Sequence, residues 1–203
     1  MTTTLVVGTR NVKKREEILE IIGDLPLDVK DLTSWPDAPE VIEDGQTFED
    51  NARKKAIELA NHLKLPVLGE DSGLVVPGIG GRPGVYSARY AGEPCNDENN
   101  NQKLIAELTP LPEEKRLAYY VCTAALANSD GEVIATVEGR CHGRIILEPR
   151  GNGGFGYDPL FLIPEYHKTF GELSATVKHA LSHRGRALAK LRPQIRKLLC
   201  SST

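Results

Sequence analysis

The sequence predicts an α/β protein built on a mixed sheet. Short apolar runs alternate along the chain with segments whose apolar residues recur at helical spacing. The second half adds an antiparallel hairpin, because two apolar runs flank residues 128–131, where Asp130-Gly131 is a turn signal. Interleaved strands and helices favour parallel pairing, and the hairpin adds antiparallel pairing, so the predicted class is α/β with a mixed sheet.

In the first half, each element is predicted from its apolar pattern and from the residues that begin or end it. The second helix has Thr47 as its N-cap with Asp50 three residues later, a capping-box signal, and it places Asn51 and Lys55 on one face. In order, the predicted elements are a buried strand at 3–8, a helix whose apolar face runs from Val12 to Ile22 and which Gly23 ends, and a half-buried strand at 27–32. They are followed by a helix that begins at Thr47, with an apolar face as far as Leu63, and by a brief strand at 66–69 that ends in a turn at 70–73, with 74–76 continuing beyond it.

The second half is predicted in the same way, with two glycine-rich loops at 78–84 and 151–156. Pro193 should kink or divide the last helix, because proline removes a helical hydrogen bond. The predicted elements are a helix between Asp97 and Leu108, hairpin strands at 117–127 and 132–137, a strand at 144–147, and a helix from about Ser182 to Leu199.

Composition excludes several classes of protein. The chain has 203 residues, of which 40% are hydrophobic and 26% charged, with a net charge of −3. This indicates one globular domain over 1–203 and argues against duplex DNA binding, which needs a basic excess. Aromatic residues at 5% also argue against single-stranded nucleic acid as a stable partner. The longest nearly apolar stretch, 117–127, is too short to span a bilayer, and no signal peptide is evident, so we expect a cytoplasmic protein without membrane association.

The four cysteines are widely spaced and include no Cys-x-x-Cys pair. A disulfide framework or a thiolate zinc site is therefore not expected, and reduced thiols are the simpler interpretation.

A first candidate anion site lies at residues 9–14, Thr-Arg-Asn-Val-Lys-Lys, where a strand runs into a helix. Free backbone N–H groups and the helix dipole favour anions there, and Lys13 and Lys14 add positive charge. The segment lacks the P-loop glycine and lysine pattern. Phosphate binding and a merely solvated basic turn both remain open at this point.

Three carboxylates form a second candidate: Glu43 in an acidic loop, and the adjacent Glu70 and Asp71 at the predicted strand end. Mg²⁺ is typically held by one or two carboxylates together with waters and substrate phosphates. Neighbouring residues face opposite sides of a strand, but a turn would let both reach one pocket. A pair of surface turn carboxylates is the alternative.

Two further clusters lie near the C-terminus. Residues 151–156 contain Gly-x-Gly-x-x-Gly, but no helix follows, so we reject a dinucleotide fingerprint. Phe155 and Tyr157 could lie against a purine or pack in the core.

Lys178 and His179, with the Ser-His-Arg run at 182–184, gather at the predicted start of the last helix. His179 and His183 have helical zinc-pair spacing, but no third ligand is evident, so zinc is disfavoured.

Together these segments resemble the inosine triphosphate pyrophosphatase family, enzymes that remove deaminated purine nucleotides. The matching blocks occur in the family's order and span nearly the whole chain, so the resemblance is specific although each block alone is weak. They are residues 9–14, 43–56, 70–76, 81–92, 153–161 and 182–188.

The resemblance implies a homodimeric, Mg²⁺-dependent hydrolase that splits a nucleoside triphosphate such as ITP, dITP or XTP into monophosphate and pyrophosphate. It implies an elongated fold with a long twisted mixed sheet, two lobes and a central cleft. It gives Asp71 as the catalytic, metal-linked residue, Glu43 and Glu70 as further metal residues, and Lys55 as a phosphate contact. The other implied substrate-binding residues are Thr9, Arg10, Asn11, Val12, Lys13, Lys14, Ser72, Phe155, Gly156, Tyr157, Asp158, Lys178, His183 and Arg184.

Selectivity would follow from hydrogen bonding at purine C6. His183 and Arg184 are donors that suit a 6-oxo group and leave adenine badly paired.

Two positions depart from the family pattern, since Arg10 stands where a glycine is frequent and Glu70 where an aspartate is frequent. A Maf-like pyrophosphatase for pyrimidine or modified nucleotides and a non-catalytic nucleotide sensor remain as alternatives.

Overall fold

The computed structural model describes residues 3–200, with side chains to residue 198. Within this range the chain has five α-helices and seven strands, in the mixed order that the sequence predicts. The helices are α1 (Val12–Ile22), α2 (Phe48–Leu63), α3 (Asp97–Leu108), α4 (Ala175–Leu181) and α5 (His183–Cys200). The strands are β1 (Thr4–Val7), β2 (Asp28–Asp31), β3 (Val67–Val75), β4 (Leu117–Ala127), β5 (Val133–Ile145), β6 (Phe161–Ile163) and β7 (Lys168–Thr169).

The strands form a seven-stranded mixed sheet in the order β2-β1-β3-β4-β5-β6-β7. Strand β1 pairs in parallel with β2, with Leu5 opposite Val29, and in parallel with β3, with Val7 opposite Leu68. Strand β6 pairs antiparallel with β5 and β7. The predicted α/β class with a mixed sheet is confirmed.

The chain divides into two compact units. Among the described residues, the first comprises 3–71, 122–139 and 184–200, and the second comprises 72–121 and 140–183.

The first unit has helices on both sides of its strands. Strand alternation sends Leu5 and Val7 into a core with α1 and α5, whereas Val6 faces the core formed with α2. Helix α2 contributes small residues, among them Ala52 and Ala56, to that second core. Its start is fixed by the predicted capping box, in which the Thr47 hydroxyl accepts from the Asp50 N–H while the Asp50 carboxylate accepts from the Thr47 N–H.

The second unit has one core cluster under α3. Leu104 and Leu108 of α3 pack with Leu74 from β3 and with a set of aromatic rings. Tyr120, Phe161 and Phe170 are mutually packed, with ring centroids 4.7 to 5.9 Å apart. Aromatic residues make up only 5% of the chain, and three of them pack together in this core.

The predicted turn at 70–73 is wrong, because β3 runs without interruption from Val67 to Val75. A strand is possible here because lysine and arginine side chains neutralise the buried Glu70 and Asp71. The predicted separate strand at 144–147 is also wrong, since β5 continues to Ile145.

The C-terminal helices also differ from the prediction. Ser182 is extended and ends α4, so Lys178 and His179 lie on a different helix from His183, and the helical zinc-pair spacing is lost. Pro193 lies inside α5 and does not divide it. The buried residues Leu191 and Ile195 flank this proline and hold α5 in the core, which offsets the lost hydrogen bond.

Among the described residues, no helix has the length and apolar character needed to cross a membrane. Cys95, Cys122 and Cys141 are free thiols, while the side chain of Cys200 lies outside the described part of the chain.

Candidate active site

The turn between β1 and α1 has the shape expected of an anion site. Asn11 is the N-cap of α1, and its side-chain oxygen accepts from the Lys14 N–H at 3.0 Å. The Thr9 hydroxyl accepts from the Asn11 N–H at 3.2 Å. Val12 and Lys13 are exposed on the first turn. The turn therefore presents a capped helix N-terminus and one outward lysine.

Arg10 points elsewhere. Its Nη2 donates to the Ala38 carbonyl at 2.6 Å, and Ala38 is buried in the core next to α2. The guanidinium thus links the turn to the start of the acidic loop that carries Glu43. This contact gives Arg10 a structural use that a glycine at this position would lack.

Lys14 turns inward, unlike Lys13. Its Nζ lies 3.2 Å from Glu70 Oε2 and 3.8 Å from Asp71 Oδ1. Burial alone would lower the pKa of Lys14, but the carboxylates of Glu70 and Asp71 outweigh burial, and the pKa is raised. Lys14 is therefore a firmly charged ammonium group between two carboxylates.

A second lysine approaches the same aspartate from α2. Lys55 Nζ lies 3.1 Å from Glu43 Oε1 and 4.0 Å from Asp71 Oδ1. The structure thus brings together four side chains that are remote in the sequence: Lys14, Glu43, Lys55 and Asp71. Lysines and carboxylates this close together can bind a phosphate group and a divalent cation.

Asp71 lies at the centre of this cluster. Its Oδ2 accepts from Asn51 Nδ2 at 2.9 Å, which leaves Oδ1 as the oxygen nearest to Lys14 and Lys55. Burial raises the pKa of Asp71, and the two lysines and the Asn51 hydrogen bond only partly offset that effect. A carboxylate with a raised pKa is a better proton acceptor than an ordinary aspartate.

Gly69 explains how α2 comes so close to Asp71. A Cβ atom at Gly69 would lie 2.3 Å from the Ala52 carbonyl oxygen and 2.7 Å from the Ala56 nitrogen. Strand β3 and helix α2 therefore touch through their backbones, and Asn51 and Lys55, which precede those alanines, reach Asp71 directly. The sequence offered only an isolated glycine as a signal for this contact.

Glu70 shares Lys14 with Asp71 and has further partners of its own. Arg184 Nη2 donates to Glu70 Oε1 at 2.9 Å, and the Cys122 thiol donates to the same oxygen at 3.3 Å. Arg184 Nη1 also donates to Glu17 Oε2. Burial and the Glu70 charge raise the pKa of Cys122, so its thiol stays protonated as a donor.

Arg184 is therefore placed differently from a base-reading donor. Only 1% of its surface is exposed, and two carboxylates occupy its terminal nitrogens. Its geometry supports a role in holding Glu70 and Glu17. Glu17 and Cys122 were not predicted as site residues, because nothing in the local sequence pattern reveals a partner more than 50 residues away.

The donor set around Asp71 fits a magnesium ion that arrives with a phosphate ligand. Among residues 3–198, no three His, Cys, Asp or Glu side chains converge closely enough to hold a metal by themselves. Mg²⁺ needs only one or two carboxylates when phosphate oxygens and waters complete its shell. Asp71, with Glu43 or Glu70, supplies hard oxygen donors of that kind, and lysines neutralise them in this structure.

In the second unit, a buried pair forms from predicted residues. Lys178 Nζ lies 2.6 Å from Asp158 Oδ2, and the same oxygen accepts from the Phe155 N–H at 2.9 Å. The ammonium group lies 4.9 Å from the centre of the Phe155 ring. Gly154 is needed here, because it has φ +71° and a Cβ would lie 2.0 Å from Asp158 Oδ2.

The remaining predicted residues of this unit have other contacts. Tyr157 is buried, and its hydroxyl donates to the Ser87 carbonyl at 2.8 Å, so it is a core residue of the glycine loop. Gly156 is fixed through its N–H by the Asp97 carboxylate at 2.9 Å. His183 stacks on Tyr120 with ring centroids 4.6 Å apart. Ser72 follows Asp71 on β3 and is half-buried.

Comparison with known proteins gives consistent matches over the whole chain. A family model described as the Ham1 family matches residues 5–194. A dITP/XTP pyrophosphatase of Rhodopirellula baltica is 51% identical over 199 residues, covering 98% of this chain and 96% of that protein. A dITP/XTP pyrophosphatase of Geobacter sulfurreducens is 52% identical over 193 residues, covering 95% of this chain and 96% of that protein.

Solved structures agree with the fold. A HAM1 protein from Coxiella burnetii superposes with a TM-score of 0.87 at 36% identity, covering 97% of this chain and 100% of that chain. A nucleoside-triphosphatase, also described as a dITP/XTP pyrophosphatase, from Mycobacterium abscessus superposes with a TM-score of 0.75 at 42% identity, covering 95% of this chain and 100% of that chain.

Proposed function

The chain belongs to the Ham1 family, and from this premise we propose that it is a pyrophosphatase that hydrolyses dITP, ITP and XTP to the monophosphate and pyrophosphate. The resemblance seen in the sequence motifs is confirmed by this membership. The observation that carries the proposal is the position of Asp71, a buried carboxylate whose Oδ1 lies 3.8 Å from Lys14 Nζ and 4.0 Å from Lys55 Nζ, with Glu43 beside Lys55.

Lys14 and Lys55 would bind the triphosphate. Lys55 is buried and Lys14 is half-buried, and both are paired with carboxylates, so each would exchange a carboxylate for phosphate oxygens when the nucleotide binds. The capped turn at residues 9–14 adds backbone N–H groups for a terminal phosphate. Charge that develops on the departing pyrophosphate is thereby stabilised by groups already in place.

Asp71 would act as the general base. Water attacks the α-phosphorus, the bond to the pyrophosphate oxygen breaks, and Asp71 Oδ1 accepts the proton of the attacking water. Asn51 holds the other oxygen, so the accepting oxygen has a fixed direction. Mg²⁺, when bound by Asp71 with Glu43 or Glu70, supplies charge neutralisation of the phosphate oxygens.

For the purine, we propose recognition by Phe155, Asp158 and Lys178, together with His183. The Lys178 ammonium group is a donor that suits a 6-oxo group, whereas the adenine 6-amino group would place donor against donor. Arg184 contributes indirectly, because it holds Glu70. The sequence alone predicted His183 and Arg184 as the donors that face C6, and this assignment replaces Arg184 with Lys178.

The proposal is tested by pyrophosphate release from XTP, dITP, ITP, GTP, ATP and UTP, with Mg²⁺ and with a chelator. We expect fast release from the first three substrates, in the presence of Mg²⁺ only, with one pyrophosphate per monophosphate. Preferred cleavage of UTP would contradict the proposal and favour a Maf-like pyrophosphatase. Orthophosphate as the product would contradict it and indicate cleavage at the terminal phosphate instead. Binding without any cleavage would indicate a nucleotide sensor.

We further propose that the protein is a cytoplasmic homodimer, as the family resemblance implies. Sedimentation equilibrium of the purified chain tests the dimer. A single species with the mass of one chain at micromolar concentration would contradict it.

A further inference from the structure

We propose that Asn51 is a positioning residue for this reaction, which fixes Asp71 and the loop bearing Glu43 with respect to each other. The inference rests on the proposed function and deepens it. Asn51 contacts no reacting atom in this assignment, and it acts through the two carboxylates that would hold the metal and accept the proton.

Both ends of the Asn51 amide are used. Its Nδ2 donates to Asp71 Oδ2 at 2.9 Å, and its Oδ1 accepts from the Gly45 N–H at 2.8 Å. The amide can have only this orientation, because a backbone N–H requires an acceptor and a carboxylate requires a donor. Only 1% of Asn51 is exposed, so water does not compete for either contact.

Gly45 is fitted to this contact. A Cβ atom at Gly45 would lie 2.6 Å from Asn51 Oδ1 and 2.6 Å from Asp50 Cβ. The loop therefore touches the first turn of α2, and only glycine allows that approach. Glu43 lies two residues earlier in the same loop and reaches Lys55 at 3.1 Å.

These contacts make Asn51 a bridge between two carboxylates. Its amide holds Asp71 Oδ2 so that Oδ1 faces the lysines, and it holds the loop so that Glu43 faces Lys55. The capping box at Thr47 and Asp50 anchors the helical turn that carries the bridge. Groups that orient metal-binding side chains in this way typically change metal affinity 10- to 100-fold when removed.

The test compares Asn51→Ala and Gly45→Ala with the wild type, and with Asn61→Ala as a matched control at an exposed position of the same helix. Three quantities are measured: the Mg²⁺ concentration for half-maximal pyrophosphate release from XTP, kcat at saturating Mg²⁺, and the melting temperature. Binding of Mn²⁺ in the presence of the α,β-methylene analogue of dITP is measured separately by electron paramagnetic resonance, which needs no turnover.

For Asn51→Ala we expect the half-saturating Mg²⁺ concentration to rise about 10- to 100-fold. We expect kcat to stay about 10- to 100-fold low at saturating Mg²⁺, because Asp71 is then misdirected. Gly45→Ala displaces only the loop, so its half-saturating Mg²⁺ concentration should rise about tenfold while kcat recovers at high Mg²⁺. Mn²⁺ binding should weaken more in Asn51→Ala than in Gly45→Ala. Asn61→Ala should bind Mn²⁺ and respond to Mg²⁺ as the wild type does.

Wild-type Mg²⁺ dependence and Mn²⁺ binding in Asn51→Ala would overturn the proposal. If that variant does not fold, Gly45→Ala decides, and wild-type behaviour there overturns it. A loss of melting temperature with an unchanged Mg²⁺ requirement would show a merely structural role and overturn it too. Failure of the wild type to cleave XTP refutes the proposed function instead, and the Mn²⁺ measurements still compare the variants.

Discussion

Replacing Arg184 by alanine separates two roles that the sequence could not distinguish. A residue that reads the base would affect selectivity and leave the free energy of unfolding almost unchanged. A residue that neutralises buried carboxylates would affect stability first. The structure places Arg184 in the second class, because its terminal nitrogens contact Glu17 and Glu70 and only 1% of its surface is exposed.

The magnitude follows from what the substitution leaves behind. Glu70 is 1% exposed and Glu17 is 9% exposed, so both carboxylates would remain buried after losing the cation that they share, with Lys14 still 3.2 Å from Glu70. Removing one partner of a buried ion pair costs about 3–5 kcal/mol. For a chain of this size, that loss lowers the melting temperature by roughly 6–20 °C.

The assay is urea denaturation at neutral pH, with Arg186→Ala as the control. Arg186 is exposed and lies two residues further along α5, so its replacement should change stability by no more than about 0.5 kcal/mol. Replacing Glu17 together with Arg184 should cost less than the sum of the two single changes. An Arg184→Ala variant with wild-type stability and a lost preference for XTP over ATP would refute this reasoning and restore the base-reading role.

Three further perturbations have defined expected outcomes. Asp71→Asn should lower kcat by about 10²- to 10⁴-fold. In the ligand-free protein the same change should raise the free energy of unfolding at neutral pH, because burial raises the pKa of Asp71 and so disfavours its ionised form in the fold. This gain in stability should disappear as the pH falls through that raised pKa. Urea midpoints at several pH values measure it. Arg10→Gly should remove about 1 kcal/mol by losing the hydrogen bond to Ala38, with faster amide hydrogen exchange around Ala38; unchanged exchange would contradict that contact. Iodoacetamide should modify exposed Cys95 quickly and spare Cys122, whose pKa is raised by burial, until denaturant is added; peptide mass spectrometry distinguishes the two.

Most of the fold could be predicted from local patterns. The start of α2 followed from Thr47 and Asp50, whose capping box depends on neighbouring residues only. The predicted strand ended at residue 69, because Glu70 and Asp71 have low intrinsic strand propensity, whereas β3 continues to Val75. Their burial depends on cations from α1, α2 and α5, and such tertiary contacts leave no trace in a short window of sequence.

The candidate site was predictable in part, for the same reason. Lys14, Lys55 and Asp71 carry charges that suggest phosphate and metal chemistry wherever they meet, and the family resemblance indicated that they meet. Asn51 and Gly69 have ordinary residue types whose importance depends on distances of about 3 Å or less to distant groups. A pattern of residue types cannot reveal such distances.

The backbone contact at Gly69 has a consequence for how freely this protein can vary. Elsewhere in the core, a larger residue at one position can be offset by a smaller residue opposite it. Where main chain meets main chain, there is no opposing side chain to shorten, since Ala52 presents its carbonyl oxygen and Ala56 its nitrogen. Active descendants of this chain should therefore tolerate exchanges among the surrounding aliphatic residues while admitting no β-carbon at position 69.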